Sequence, residues 1–279
     1  MKKILKISRP RFWIYVIGPF ILSIAATYGV YDIPWVPISI LFLYFSFPAN
    51  IFIYGVNDLY DRDTDVLNEK KKEYENVLDK KDDSFLKNII LFANVPFFIY
   101  VNATTSNLVF LIFILFLFFS WQYSARPIRA KAVPFLDSIF SSFIYILPGI
   151  LSYALITHTL PGYIPMIAGF LWSYAMHVYS AVPDITADTD AGLKTGATIL
   201  GKNTTLALCG ILYAASGILT LPYIGVFSYI AIAVYLVMIA ISIKKKGPIE
   251  VLPIYKYFPL INTIIGGIIF FILLYKNIF

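Results

Sequence analysis

Charged residues and cysteine are both scarce in this 279-residue chain. Asp, Glu, Lys and Arg make up only 14% of the sequence, whereas hydrophobic residues make up 59%. This balance excludes an ordinary soluble domain. The chain has a single cysteine, Cys209, so no disulfide can form within it. The sequence is therefore typical of a protein that is mostly embedded in a membrane.

Long apolar segments account for most of the chain. A helix needs about 20 apolar residues to cross roughly 30 Å of hydrocarbon. Such segments lie near 10–30, 36–56, 85–101, 106–123, 133–156, 163–182, 204–221, 224–243 and 257–276. The first is too long for a cleaved signal sequence, so we interpret it as a retained helix. The sequence predicts an all-α membrane protein with nine transmembrane helices.

Lys and Arg are almost absent from every second connection between these segments. With the N-terminus inside, the inner segments hold 5, 7, 3, 2 and 4 of them, or 21 of the 22, and only Lys276 lies outside. Because cytoplasmic loops carry the excess of basic residues, this predicts a cytoplasmic N-terminus and an external C-terminus. The net charge of +6 then reflects topology and contact with anionic lipid, not nucleic-acid binding.

One acidic pattern occurs twice. Asp61 and Asp65 lie in the run Asn-Asp-Leu-Tyr-Asp-Arg-Asp-Thr-Asp at 57–65, and the same Asp-x-x-x-Asp spacing returns at Asp184 and Asp188. Each copy follows the second helix of a group of four predicted helices. This predicts two parallel repeats, near 10–123 and 133–243. We expect one domain over 1–279 in which the repeats surround a central cavity, with a ninth helix near 257–276 and cytoplasmic cap loops.

These acids predict a site for a metal-bound diphosphate. Carboxylates near hydrocarbon are costly and generally serve a cation or ligand, and Mg²⁺ takes one or two carboxylates plus substrate phosphates. On a helix most of both clusters share a face, whereas Asp63 and Asp190 point away toward water. The candidate metal ligands are Asn57, Asp58, Asp61, Asp65, Asp184 and Asp188. The four aspartates of the repeated pair are also the candidate catalytic residues.

A departing diphosphate also needs positive charge and hydrogen-bond donors. The candidates are Asn57, Arg62, Arg129 and Lys131. The last two lie in the inner segment Tyr-Ser-Ala-Arg-Pro-Ile-Arg-Ala-Lys at 123–131, where ordinary positive-inside charge is an equally good explanation.

Taken together, these motifs resemble the UbiA superfamily of intramembrane prenyltransferases. The resemblance rests on Asn-Asp-x-x-Asp-x-x-x-Asp at 57–65, the second Asp-x-x-x-Asp, the loop at 123–131 and the nine spans. Gly192, Thr195 and the Leu-Gly pair at 200–201 fit the family's extension of the second motif. The family implies an all-helical fold, Mg²⁺-dependent transfer of a prenyl group from its diphosphate to a lipophilic acceptor, and a cytoplasmic cap over the pocket.

The second motif departs from many members of that family. Those that prenylate aromatic rings have a Lys-Asp pair where this chain has Ser180 and Ala181. The amino-acid sequence around the motifs, such as Ala-Val-Pro-Asp-Ile at 181–185, resembles that of the lycopene elongase branch instead. This implies dimethylallyl diphosphate as donor and an acyclic carotenoid such as lycopene as acceptor. An aromatic quinone precursor, or another lipid acceptor, stays open.

Several further features have two interpretations. Asp137 is an intramembrane acid that either serves function or pairs with the basic loop. His177 either assists the reaction or packs, and residues 66–84 form either a solvated loop or a lid that excludes water. A membrane transporter also uses repeats and intramembrane acids. Here, however, the clustered acids lie at the cytoplasmic helix ends, which favours the enzyme.

Overall fold

Helices form the regular elements of the part of the chain that the structure describes. In the computed structural model, residues 2–60 and 82–278 are described. The helices are α1 (Lys2–Ile7), α2 (Trp13–Thr27), α3 (Trp35–Ser46), α4 (Pro48–Tyr60), α5 (Asp83–Thr104), α6 (Asn107–Ser124), α7 (Leu136–Thr157), α8 (Tyr163–Ala181), α9 (Ile185–Asp190), α10 (Gly196–Ile224), α11 (Phe227–Ile243), α12 (Leu252–Tyr255) and α13 (Phe258–Ile278). Short 3-10 helices lie at Pro10–Phe12, Ala130–Ala132, Val182–Asp184 and Ile249–Val251. The predicted all-α class is confirmed.

Seven helical stretches within the described ranges are long and apolar enough to cross a membrane. They are Pro10–Thr27, Trp35–Tyr60, Asp83–Thr104, Asn107–Ser124, Leu136–Thr157, Gly196–Ile224 and Ile249–Asn277. Helices α8 and α11 occupy the other two predicted positions, but α8 is less apolar and α11 has only 17 residues. The membrane assignment is thus supported by length and composition, while the count of nine spans stays a prediction.

The outer surface of these helices is strongly apolar. Phe92 on α5 is 80% exposed, and Phe271 on α13 is 67% exposed. Large exposed apolar surface marks contact with a membrane or another protein. On helices of this length, contact with hydrocarbon is the direct explanation.

The second predicted span is broken in its middle. Phe47 leaves helical geometry (φ −138°, ψ −59°), and α4 begins at Pro48. Pro48 has no backbone N–H, so the preceding turn loses a hydrogen bond. The Nδ2 group of Asn50 donates to the carbonyls of Phe45 (3.2 Å) and Ser46 (3.3 Å), which satisfies groups left open by the break. The break lets α4 run through the protein interior toward the first acidic motif.

Close packing joins the two halves of the chain. Helices α2 and α6 of the first half pack along α7 of the second half, and α13 packs against α2. At the contact of α2 with α7, a Cβ on Gly149 would lie 2.9 Å from the carbonyl oxygen of Pro19. Only glycine allows this approach, and the Ser23 hydroxyl donates to the Gly149 carbonyl there at 2.8 Å. The arrangement as two four-helix repeats stays a prediction.

Candidate active site

Polar residues from distant parts of the sequence line one cavity at the ends of several helices. The cavity has a volume of about 230 Å³. Its charged and polar lining residues include Arg9, Asn57, Lys131, Asp137, His177, Asp184 and Asp188. The predicted site residues Asn57, Lys131, Asp184 and Asp188 therefore lie together.

The second acidic motif reaches the cavity through a change of helix type. Helix α8 ends at Ala181, the 3-10 turn Val182–Asp184 contains Pro183, and α9 follows directly. Asp184 and Asp188 are one helical turn apart, so their side chains lie on one face. Both are half-buried and line the cavity, whereas Asp190 is exposed. This distribution agrees with the sequence-based expectation for Asp190.

A glycine turn connects this motif to α10. Gly192 has φ 69°, and the amide of Leu193 donates to the Asp188 carbonyl at 2.8 Å. Thr195 then caps α10 in a capping box with Thr198, in which each side-chain oxygen accepts from the other residue's amide (3.2 and 2.9 Å). Thr195 lines the cavity, so α10 begins beside it.

The first acidic motif is only partly described. The Asn57 amide donates to the Ser124 hydroxyl at 3.1 Å, and Asn57 lines the cavity. Asp58 is buried beside it but is not among the lining residues; its carboxylate accepts from Arg9 at 2.6 Å. Asp61, Arg62 and Asp65 lie outside the described residues.

Arg9 is a site residue that sequence reasoning missed. Its guanidinium lies 4.7 Å from the centre of the Tyr54 ring and pairs with Asp58, and both partners in this pair are more than 90% buried. The sequence analysis counted Arg9 only as part of the basic N-terminal arm. No local signal distinguishes it from Arg11, because its partner lies 49 residues away.

One of the two candidate diphosphate-binding residues in the basic loop at 123–131 lines the cavity. Lys131, in the 3-10 helix Ala130–Ala132, lines the cavity. Arg129 has a left-handed backbone (φ 46°) and is not among the lining residues. The predicted lid also falls mostly outside the described residues, although Asp82 at its end pairs with Lys3 at 2.7 Å.

Asp137 and His177 face each other inside the cavity. The Nε2 atom of His177 lies 3.7 Å from a carboxylate oxygen of Asp137, whose other oxygen accepts from the Ser138 hydroxyl at 3.3 Å. The His177 ring stands edge-on to Tyr123 at 5.9 Å. The intramembrane acid thus lies at the site, and a histidine is the neighbour that the structure shows for it.

Seven aromatic side chains also line the cavity. They are Phe12, Tyr15, Tyr54, Tyr123, Tyr145, Tyr255 and Phe258. Several pack on one another, as when Tyr15 meets Tyr145 edge-on at 5.9 Å. The faces of aromatic rings attract cations. The sequence offers 49 aromatic residues and does not distinguish these seven.

The donor set fits a magnesium ion held together with a phosphate ligand. Among the described residues there is no cluster of three or more His, Cys, Asp and Glu side chains that could hold a metal alone. Asp184 and Asp188 nevertheless supply two carboxylates one turn apart, beside Lys131 and Arg9. Mg²⁺ commonly takes one or two carboxylates and completes its shell with waters and phosphate oxygens.

Known structures have the same fold. A UbiA homolog from Archaeoglobus fulgidus, solved with GPP and Mg²⁺, superposes with a TM-score of 0.73 at 22% identity, over 97% of this chain and 99% of that one. The same homolog bound to DMAPP and Mg²⁺ gives 0.71 at 21% identity over the same shares of the two chains. At this identity the likeness shows the fold.

Sequence comparison is more specific. The lycopene elongase/hydratase of Haloarcula japonica is 34% identical over 99% of this chain and 92% of the relative. That of Halobacterium salinarum is 33% identical over 93% and 92%. The sequence profile described as "UbiA prenyltransferase family" matches residues 16–246. The resemblance seen in the motifs is thereby confirmed, and the chain belongs to the UbiA prenyltransferase family.

Proposed function

We propose that the protein transfers a dimethylallyl group from its diphosphate to the end of an acyclic carotenoid such as lycopene, in a Mg²⁺-dependent reaction. One observation carries the proposal. A single cavity is lined by Asp184, Asp188, Lys131 and Arg9 together with seven aromatic side chains. The names of the related lycopene elongases support the acceptor.

The charged residues that line the cavity suit the leaving group. When the allylic C–O bond breaks, its electron pair stays on the diphosphate oxygen, and negative charge builds up there. Lys131 and Arg9 provide positive charge, and Asn57 provides an amide donor. We propose Asp184 and Asp188 as the metal ligands in the described chain, joined by Asp61 and Asp65 from the sequence. Bound Mg²⁺ would supply Lewis-acid stabilisation of the phosphate oxygens.

The arrangement of the first motif assigns Asp58 a second role. Its ion pair with Arg9 is almost fully buried, and removing one partner of such a pair leaves an uncompensated charge. We propose that Asp58 holds the guanidinium of Arg9 at the edge of the cavity, in addition to its predicted role as a metal ligand. Arg62 and Arg129 stay predictions as diphosphate contacts.

The aromatic residues that line the cavity suit the carbocation. The terminal double bond of the acceptor supplies its π electrons to the dimethylallyl carbon, which forms the new C–C bond and leaves a tertiary cation on the acceptor. Tyr145 can stabilise positive charge without reacting as a strong base. The cation then loses a proton or captures water. His177, with Asp137 beside it, is our candidate for the proton acceptor in the first case.

The acceptor is tested by expression in a lycopene-producing bacterium followed by mass analysis of the pigments. We expect a mass gain of one or two five-carbon units, with or without added water. The control is the same strain carrying the Asp184→Ala variant. Unchanged lycopene, together with prenylation of an added aromatic acid by the same membranes, would instead assign an aromatic acceptor.

We further propose nine spans in one domain, with repeats near 10–123 and 133–243, the N-terminus and the active site on the cytoplasmic side, and the C-terminus outside. The basic residues support this orientation, since only Lys276 lies in an outer segment. A reporter that is active only outside the cytoplasm should therefore be active when fused after residue 279. Activity of a cytoplasmic reporter at that position would contradict the odd number of spans.

A further inference from the structure

The proposed reaction leaves a carbocation on the acceptor, so some group in the cavity must take up a proton before the product is neutral. The carboxylates of Asp184 and Asp188 are assigned to the metal in the proposed function. Among the other described residues that line the cavity, only Asp137 and His177 carry a base that can accept a proton. The fate of the cation therefore depends on what this pair can reach.

The position of Asp137 indicates which nitrogen of His177 is available. The Nε2 atom lies 3.7 Å from a carboxylate oxygen of Asp137, and the two side chains are only 14% and 4% exposed. A neutral imidazole has one N–H and one lone pair. The negative carboxylate favours the proton on Nε2, which leaves the lone pair on Nδ1. No hydrogen bond to another residue of the described chain occupies Nδ1.

A serine one helical turn from Asp137 provides a second polar group at the same place. Ser141 follows Asp137 by four residues on α7, so both side chains share a face, and both line the cavity together with His177. Ser141 is only 4% exposed, and its hydroxyl forms no hydrogen bond to any other described residue. Buried polar groups are generally paired, and water fills that role where no protein group does.

These groups lie further along their helices than the acidic motif. His177 precedes Asp184 by about 10 Å along α8 and the 3-10 turn, at about 1.5 Å per residue. On α7, the face that carries Asp137 and Ser141 continues to Tyr145, which also lines the cavity. In the proposed reaction the new cation forms beyond the diphosphate, on the acceptor, and these groups lie beyond the metal ligands in the same direction.

We propose that Ser141 and His177 hold a water molecule and add it to this carbocation, with Asp137 positioning His177. A lone pair of the water oxygen forms the C–O bond to the tertiary carbon, and Nδ1 of His177 takes one of the water's protons. The product is a tertiary alcohol. Asp137 stabilises the imidazolium, which then returns its proton to solvent. The inference rests on the proposed function and selects water capture from the two fates which that function leaves for the cation.

The ratio of alcohol to alkene among the elongated products tests this inference. Purified protein is incubated with Mg²⁺, dimethylallyl diphosphate and lycopene in isotopically labelled water, and the carotenoids are identified by mass. The ratio counts only elongated ends, so a change in the overall rate does not affect it. The wild type should give mainly labelled alcohol.

Three variants should shift the ratio toward alkene. His177→Phe should lower it by about 10²-fold, because the new ring can pack against Tyr123 but has no base. The released diphosphate then takes the proton from carbon. Ser141→Ala should lower the ratio by roughly tenfold, since the water loses one hydrogen bond. Asp137→Asn keeps the shape but not the charge and should lower it by a similar factor. A purely structural role would reduce the amount of active protein and leave the ratio unchanged.

Ser142→Ala is the matched control for Ser141→Ala. Ser142 is the next residue on α7 and is fully buried, but it is not among the residues that line the cavity. Its hydroxyl donates to the Ser138 carbonyl at 2.7 Å. The same hydroxyl-to-hydrogen change at this position should therefore leave the ratio as in the wild type.

An unchanged ratio in His177→Phe and Ser141→Ala would overturn the inference, and so would a wild type that gives only alkene. The proposed prenyl transfer would stand in both cases. If neither variant elongates lycopene while Ser142→Ala does, these groups serve the elongation itself and the inference is wrong. A wild type that does not elongate lycopene refutes the proposed function, and the inference falls with it.

Discussion

Asp184→Ala is expected to lower prenyl transfer by roughly 10³-fold, because the loss of a proposed metal ligand would leave the departing diphosphate without stabilisation that is worth several kcal/mol. Asp184 lines the cavity together with Asp188 and Lys131. The rate of diphosphate release from purified protein in detergent measures the effect. The thermal midpoint should change little, since Asp184 is only half-buried and does not cap α9 through its side chain.

Asp190→Ala is the matched control for this variant. Asp190 ends the same short helix but is exposed and does not line the cavity. Exposed substitutions usually change free energies by no more than about 0.5 kcal/mol, so the rate should stay within about twofold of wild type. Equal losses in Asp184→Ala and Asp190→Ala would mean that the helix, rather than the carboxylate in the cavity, is what the reaction requires.

Removal of divalent cations is expected to have an effect of similar size. The cavity brings the carboxylates of Asp184 and Asp188 together with the cations Arg9 and Lys131, so a diphosphate without its metal meets repulsion from Asp184 and Asp188. A loss of several kcal/mol of stabilisation corresponds to about 10³-fold in rate. EDTA should abolish diphosphate release, and added Mg²⁺ should restore it.

Lycopene binding provides the control for this treatment. An acyclic carotenoid carries no charge and needs no metal ion to bind, so EDTA should leave pigment binding unchanged. Undiminished diphosphate release after exhaustive chelation would contradict a metal-dependent mechanism, whichever acceptor is used.

The membrane character and the family could both be predicted from the sequence because their signals are local. Twenty-residue apolar segments reflect the thickness of the bilayer. The spacing of Asp184 and Asp188 puts two carboxylates on one helical face wherever that helix lies. The basic residues of the inner segments likewise predict orientation without any contact being known. Profile and relatives confirmed the family from the same residues.

The span count shows the limit of such local signals. Composition alone marks nine segments, whereas seven helical stretches of the described chain meet the length and apolarity of a span. Helix α8 is less apolar because it packs against other helices. Its polar residues Ser173 and His177 lie in the protein interior. Burial in protein relaxes the requirement for apolar side chains that lipid contact imposes.

Only the tertiary structure decided which residues complete the site. Arg9 reaches Asp58 across 49 residues, and Asn262 reaches Tyr15 across 247. Neither pair has a sequence signal, because the contact depends on how α13 and the N-terminal arm pack against the rest of the bundle. The sequence by itself thus determined the chemistry of the acidic motif, whose geometry is set within one or two helical turns. The aromatic lining of the cavity and the role of Arg9 depend on long-range packing, and that packing is a property of the folded chain as a whole.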